Sequence, residues 1–250
     1  MRRGLAPTRT AAQRLVAAGR VVVRGVPVPR AATLVDDQAV VDVADEGPHW
    51  AGRGGLKLAG ALDAFGVSPE GRRCLDVGAS TGGFTDVLLT GGAASVTAVD
   101  VGYGQLLWRL RADPRVRVLD RTNFRLADPA ALGAPFDLVV ADVSFISLRL
   151  LAPNLAACGA PGTEYVVLVK PQFEVGRAQV RRGGLVSDPQ QHRAAVQAVA
   201  EAFTAAGLGP QRATASSITG ATGNREFFLY AVRGAPPSLA AASLDEVVIP

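Results

Sequence analysis

The chain has 250 residues, 48% of them hydrophobic, which is enough for one large domain plus a small one. No apolar run approaches the about eighteen residues of a membrane span, and no apolar segment follows the basic start, so neither a spanning helix nor a signal peptide is read. The net charge of +4 hints at a polyanionic partner, and two cysteines (Cys74, Cys158) with two histidines (His49, His192) are too few and scattered for a disulfide framework or a structural zinc, so the expectation is a reduced, cytoplasmic, metal-free protein.

In chain order, residues 1–35 carry seven arginines (Arg2, Arg3, Arg9, Arg14, Arg20, Arg24 and Arg30) and no acid. That distribution suits either a solvated surface or a module that contacts phosphates. Thr8 to Ala18 reads as a short helix capped by the threonine, with Ala11, Leu15 and Ala18 on one face. GRVVVRGVPV reads as two short strands around Gly25, and QAVVDV as a third. ADEGPHWAGRGG, with Pro48 and four glycines, reads as a linker. The expected division is a small domain over 1–46, a linker over 47–56, a large domain over 57–233, and a frayed tail rich in Ala, Pro and Ser over 234–250.

A helix from about Leu56 to Phe65 leads into the first strand of the large domain, RRCLDVG. Further strands are SVTAVDV, VRVLD, FDLVVADV, EYVVLVKP, RATASSI and EFFLYAVR, with helices near 84–90, 103–112, 147–157 and 190–206. The alternation predicts a parallel sheet with helices on both faces. TGATGN is too short for a helical crossover, so the last two strands form an antiparallel hairpin. The fold class is α/β: a Rossmann-like, mainly parallel seven-stranded sheet ending in one antiparallel strand, the pattern of class I methyltransferases, beside a small α+β N-terminal domain.

The stretch CLDVGASTGGFTDVLL (74–89) ends an apolar strand in an acid and turns through glycines into a helix. Gly78, Gly82 and Gly83, with Ser80 and Thr81 between them, let backbone approach a ligand and leave amide donors at a helix start. A dinucleotide fingerprint would read G-x-G-x-x-G, whereas this turn reads G-A-S-T-G-G. Asp76 just before it suits a cationic ligand better than a pyrophosphate, which favours S-adenosylmethionine over NAD. Asp100, 22 residues after Gly78, ends the next strand where an acceptor takes ribose hydroxyls, a device NAD sites share. Asp120 ends the third strand, within reach of the adenine side. Each of these acids can also serve as a helix cap or turn acceptor.

Methylation of exocyclic base nitrogens is commonly marked by a D/N-P-P-Y/F stretch after the fourth strand; this chain has ADVSFIS there, with Asp142 and no proline. Attack on a pyrimidine carbon needs a cysteine nucleophile, usually one after proline, and neither cysteine follows one. Oxygen is then the favoured acceptor, and it needs a base. Of 26 basic residues only Lys57 and Lys170 are lysines. Either they survive by chance, or they do what guanidinium cannot, which is to lose a proton. Lys170 ends its strand at the edge where α/β proteins bind ligands, and Lys57 starts the helix leading into the sheet.

RGGLKL, LDVGASTGGFTD, VDVGYGQL, RTNFR, DVSFISL, LVKPQFEVGR and GNREFFL occur in that order across 53–229. In these stretches the chain resembles the TlyA (hemolysin A) family of rRNA 2′-O-ribose methyltransferases, whose catalytic domain is FtsJ-like. The resemblance implies an S-adenosylmethionine cofactor and a Lys-Asp-Lys-Glu tetrad that falls on Lys57, Asp142, Lys170 and Glu226. Lys170 would be the base, Asp142 and Glu226 would position the lysines, and Lys57 would hold the ribose, with no metal. The implied substrate is the 2′-hydroxyl of cytidine in 16S and, in some members, 23S rRNA within ribosomal subunits.

GLAPTRTAAQRLVAAGRVVVRGVPV resembles the small RNA-binding domain of ribosomal protein S-four type, which implies RNA contacts from Arg9, Arg14, Arg20, Arg24 and Arg53. The family carries a further strand and helix ahead of RGLA, so the small domain is expected to be N-terminally short. Its linker often reads aromatic-Val-Ser-Arg-Gly-Gly; here Trp50-Ala51-Gly52-Arg53-Gly54-Gly55 has an extra glycine, which predicts a looser hinge. Three rivals are an NAD-dependent oxidoreductase, an RNA-binding assembly factor with a relict cofactor pocket, and a membrane-active protein. Against them stand, in turn, the missing fingerprint, the complete tetrad, and the lack of a span or basic amphipathic helix.

Overall fold

The computed structural model describes residues 3–17, 19–23, 26–28, 30–36, 39–43, 50–176, 180 and 183–248. Contacts divide the chain into two compact units, Met1–Arg53 and Gly54–Pro250. In the first, Thr8 Oγ1 accepts from the Ala11 amide at 3.1 Å and so caps α1 (Arg9–Ala17). Strands β1 (Val21–Val23), β2 (Val26–Pro27) and β3 (Val41–Val43) pair antiparallel in the order β2-β1-β3.

The second unit opens with α2 (Arg53–Phe65), which buries Leu58, Ala61, Leu62 and Phe65, one stripe at helical spacing. Its strands are β4 (Arg73–Val77), β5 (Ser95–Val99), β6 (Val116–Leu119), β7 (Phe136–Ala141), β8 (Gly159–Val169), β9 (Leu208–Ala215) and β10 (Phe227–Arg233). Between them lie α3 (Gly83–Thr90), α4 (Trp108–Arg111), α5 (Pro129–Leu132), α6 (Ala152–Ala157), α7 (Pro171–Glu174) and α8 (Pro189–Ala205), and α9 (Ala241–Val248) follows. The sheet order is β6-β5-β4-β7-β8-β10-β9. Strands β4 to β8 pair in parallel, and β10 runs antiparallel to both neighbours. The central strands are unbroken apolar runs, such as Leu138–Ala141, because helices cover both faces.

The one antiparallel strand is β10, the last in the chain as expected; in space it is inserted beside β8, and β9 becomes the edge. Composition explains the order. Phe227, Phe228, Leu229 and Ala231 of β10 are fully buried, whereas β9 carries Pro210 and the exposed Arg212, which suit an edge. The β8–β10 ladder is unbroken from Phe227 opposite Val169 to Val232 opposite Glu164. The β9–β10 ladder slips between Tyr230 and Ala231, leaving Gln211 as an extra residue on β9. Because β10 runs backwards, its start lies at the carboxyl edge of the parallel strands. Glu226 lies one residue before the ladder pairs Phe227–Val169 and Phe227–Ala215, level with Lys170 directly after β8 and Ser216 directly after β9, and the Ser216 amide donates to the Glu226 carbonyl at 2.9 Å.

Several expectations need correction. The helix starts at Arg53 rather than Leu56; Gly52, the extra glycine, precedes it, while Gly54 and Gly55 belong to its first turn. They pack there: a Cβ on Gly83 of α3 would lie 2.8 Å from the Gly55 nitrogen. The helix expected over 103–112 shrinks to α4, since Gly104 at φ 67° turns the chain just before it. The one expected over 147–157 splits into a 3-10 turn and α6, with Pro153 in the first turn of α6. Within the expected tail, residues 241–248 form α9. Leu244 and Val248 of α9 are 1% and 2% exposed, and Arg225 Nη1 donates to the Val248 carbonyl at 2.7 Å.

Candidate active site

The carboxyl edge of the sheet brings the four tetrad positions into two ion pairs. Asp142, directly after β7, is fixed by its own amide, which donates to the Val77 carbonyl at 2.9 Å. Lys170, directly after β8, places its ammonium 2.5 Å from Asp142 Oδ1 and donates to Ser144 Oγ at 2.9 Å. Lys57, one turn into α2, meets Glu226 Oε2 at 2.5 Å, with the two side chains only 9% and 3% exposed. Glu226 fits because residue 220 is glycine: a Cβ there would overlap its carboxylate. Two lysines and two acids leave the cluster formally neutral.

Beside it lies a cavity of about 490 Å³ whose wall includes Gly78, Ser80, Asp100, Thr122, Asn123 and Asp142. A smaller one of about 110 Å³ touches Gly78, Ser80, Thr81, Gly83 and Asp142. The first has the size of a small-molecule site. Gly78 adopts φ 87°, and a Cβ on it would overlap the Asp142 carbonyl, so glycine here lets β4 and β7 close beneath the cavity. Ser80 takes the left-handed φ of 48°, which aims its amide at Asp100 Oδ2 (2.8 Å); the Gly102 amide reaches Asp100 Oδ1 at 2.7 Å. A carboxylate so held, with part of its surface still open to the cavity, can also accept from a ligand hydroxyl.

Three other positions make contacts of their own within the fold. A Cβ on Gly82 would overlap the side chains of Leu106 and Leu110, so glycine here lets them pack against the turn. Asp120 is bound by Arg111 at 2.6 Å and by the Gly104 amide at 3.2 Å, with Arg111 holding it below the usual carboxylate range. It braces the loop before α4 and lines neither cavity, while its neighbours Thr122 and Asn123 do line the larger one. Their signal was the polar RTNFR stretch after β6. Asp76 also lines neither. It is fully buried under the turn, accepting from Thr85 Oγ1 at 2.7 Å, with Oδ1 unpartnered. Burial pushes its pKa up to about 7, against the Thr85 bond.

This has a consequence for stability. The folded state holds the Asp76 proton above the pH at which the unfolded chain releases it. The stabilisation is therefore complete below about pH 4 and is lost as pH rises toward 7, on the order of 4 kcal/mol in all. Asp76→Asn should flatten that slope, gaining in melting temperature relative to wild type at pH 8 compared with pH 5. An identical pH profile for the two proteins would contradict the buried neutral acid.

In the N-terminal unit Arg9 and Arg14 are exposed on α1, Arg20 precedes β1, and Arg53 begins α2; Arg24 lies outside the described residues. Phe145, in the wall of the larger cavity, is 92% exposed with φ 66°; it falls in the DVSFISL stretch but was not singled out as a site residue. Among the described residues no group of three His, Cys, Asp or Glu can hold a metal, and no helix is long and apolar enough to cross a membrane.

Residues 50–233 match the family described as FtsJ-like methyltransferase. The 16S/23S rRNA (cytidine-2′-O)-methyltransferase TlyA of Mycobacterium tuberculosis is 50% identical over 249 residues, 99% of this chain and 93% of its own. A solved structure described as a hemolysin from Streptococcus thermophilus superposes with TM-score 0.80 at 40% identity, covering 99% of this chain and 91% of that one. An S-adenosylmethionine dependent methyltransferase from Mesorhizobium loti shares the fold, with TM-score 0.51 at 18% identity over 70% of this chain and 96% of its own.

Proposed function

The chain belongs to the FtsJ-like methyltransferases, and from that premise we propose that it methylates the 2′-hydroxyl of a cytidine ribose in 16S rRNA, with 23S rRNA as a second candidate substrate, within ribosomal subunits in the cytoplasm. The observation that carries this reading is the pair of lysine–carboxylate contacts at the sheet edge, one of which shares Asp142 with the cavity wall. S-adenosylmethionine, when bound, supplies a methyl group made electrophilic by its sulfonium. Gly78, Ser80, Thr81, Gly83 and Asp100 would hold it, since the cavity fits a nucleoside-sized ligand and Asp100 can take ribose hydroxyls.

Lys57, closed on Glu226 in the more buried pair, orients the ribose. Lys170, at the more open pair, takes the hydroxyl proton once it has released one to solvent, and Asp142 fixes its ammonium until then. The small N-terminal unit is read as the RNA-binding domain of ribosomal protein S-four type. Arg9, Arg14, Arg20, Arg24 and Arg53 would contact phosphates, an affinity that falls steeply with salt.

The test is transfer of labelled methyl from S-adenosylmethionine to isolated 30S and 50S subunits, with mapping of 2′-O-methylcytidine. One modified cytidine per accepted subunit is expected; no label above background overturns the reading. In parallel, Asp100→Ala should weaken cofactor binding at least about tenfold in calorimetric titration while the sheet stays folded. Undiminished affinity would remove Asp100 from the site.

A further inference from the structure

Lys170 caps the start of the short helix α7 and Glu174 is its last residue, and each grips one end of the loop 142–148. Lys170 holds the near end through Asp142 and Ser144. Glu174, 6% exposed, holds the far end: it accepts from Ser147 Oγ at 2.5 Å and from the Leu148 amide at 2.7 Å, with Arg149 Nε 3.6 Å away. Between the two grips Phe145 sits at φ 66°, its ring 5.4 Å from that of Phe173 on α7. A bulky residue keeps such a backbone only where its surroundings impose it.

We propose that Glu174 is a positioning residue for methyl transfer: by pinning Ser147 and Leu148 it keeps the loop in the strained conformation that sets Asp142 against Lys170. The inference rests on the functional reading above. Burial makes a carboxylate at this place costly, and the Glu174 proton affinity is raised by it in spite of the two bonds it accepts. What the loop needs from residue 174 is an acceptor of the right reach, since the Leu148 amide is buried and must be paired. A carboxamide meets that need. Its oxygen can accept from Leu148 and its nitrogen can donate to Ser147 Oγ, whose hydroxyl then turns to solvent.

Length and charge are therefore separable. Single-turnover transfer at saturating cofactor and ribosomal subunit should be within about threefold of wild type in Glu174→Gln, and at least about tenfold slower in Glu174→Asp, which keeps the charge but falls one methylene short. Amide exchange at Leu148 should be slow in wild type and Glu174→Gln and fast in Glu174→Asp. The reverse order of rates would assign Glu174 a charge role and overturn the proposal, as would wild-type rates in all variants or fast Leu148 exchange in wild type. If wild type transfers no methyl at all, the functional reading fails, and the exchange pattern alone still decides the grip on the loop.

Discussion

Lys170→Arg is expected to fold, to bind S-adenosylmethionine with near wild-type affinity, and to lose at least about a hundredfold in single-turnover methyl transfer. The guanidinium can still pair with Asp142, so the charge that closes this side of the site is kept. What is lost is the capacity to be neutral, because arginine does not deprotonate in proteins. Lys57→Arg should cost less, since Lys57 is engaged with Glu226 and its assigned task is orientation. Labelled-methyl transfer to ribosomal subunits, alongside cofactor titration, separates the outcomes. Wild-type turnover in Lys170→Arg would return that lysine to a structural charge.

Glu226→Ala should be the most destabilising single change at the site. It leaves the Lys57 ammonium buried without a counterion, for which about 3–5 kcal/mol is typical, or roughly 10 °C in melting temperature for a unit of this size. Removing both charges together, as Lys57→Met with Glu226→Leu, should recover most of the stability and none of the activity. A charge pair and an apolar pair of similar volume are often close in folding free energy. Scanning calorimetry decides the matter: a single variant as stable as wild type would mean that water or another acid already serves Lys57.

Much of this arrangement was legible in the residues. The alternation from RRCLDVG onward set a seven-stranded sheet, and the scarcity of lysine pointed to Lys57 and Lys170 before any geometry. The FtsJ-like family match and the strand order agree with the reading of the sheet. The strand position of Asp76 was visible, but not the environment beneath the turn: the residue before Val77 is wholly enclosed, and only packing tells an enclosed acid from one that meets a ligand. The pairing of Asp120 with Arg111 was not legible because the two meet only once the loop before α4 has folded. Pro210 was in plain view as an edge-strand marker and would have placed β9 correctly. The helix α9 had no such marker. Its sequence AASLDEVV shows a short apolar face, and that face becomes decisive only when α8 and the sheet are there to receive Leu244 and Val248.

The extra residue on β9 bears on how this protein can tolerate insertions and deletions. The side chain at each strand position alternates between faces, so one residue gained or lost within β10 would turn Glu226 to the opposite side of the sheet. The irregularity at Gln211 falls instead on the outer ladder, while the inner ladder that sets Glu226 beside Lys170 runs without a break. Changes of chain length before Ser216 can thus be taken up at the edge of the sheet. The hairpin has one strand whose length is free to drift and one whose length is bound to the chemistry.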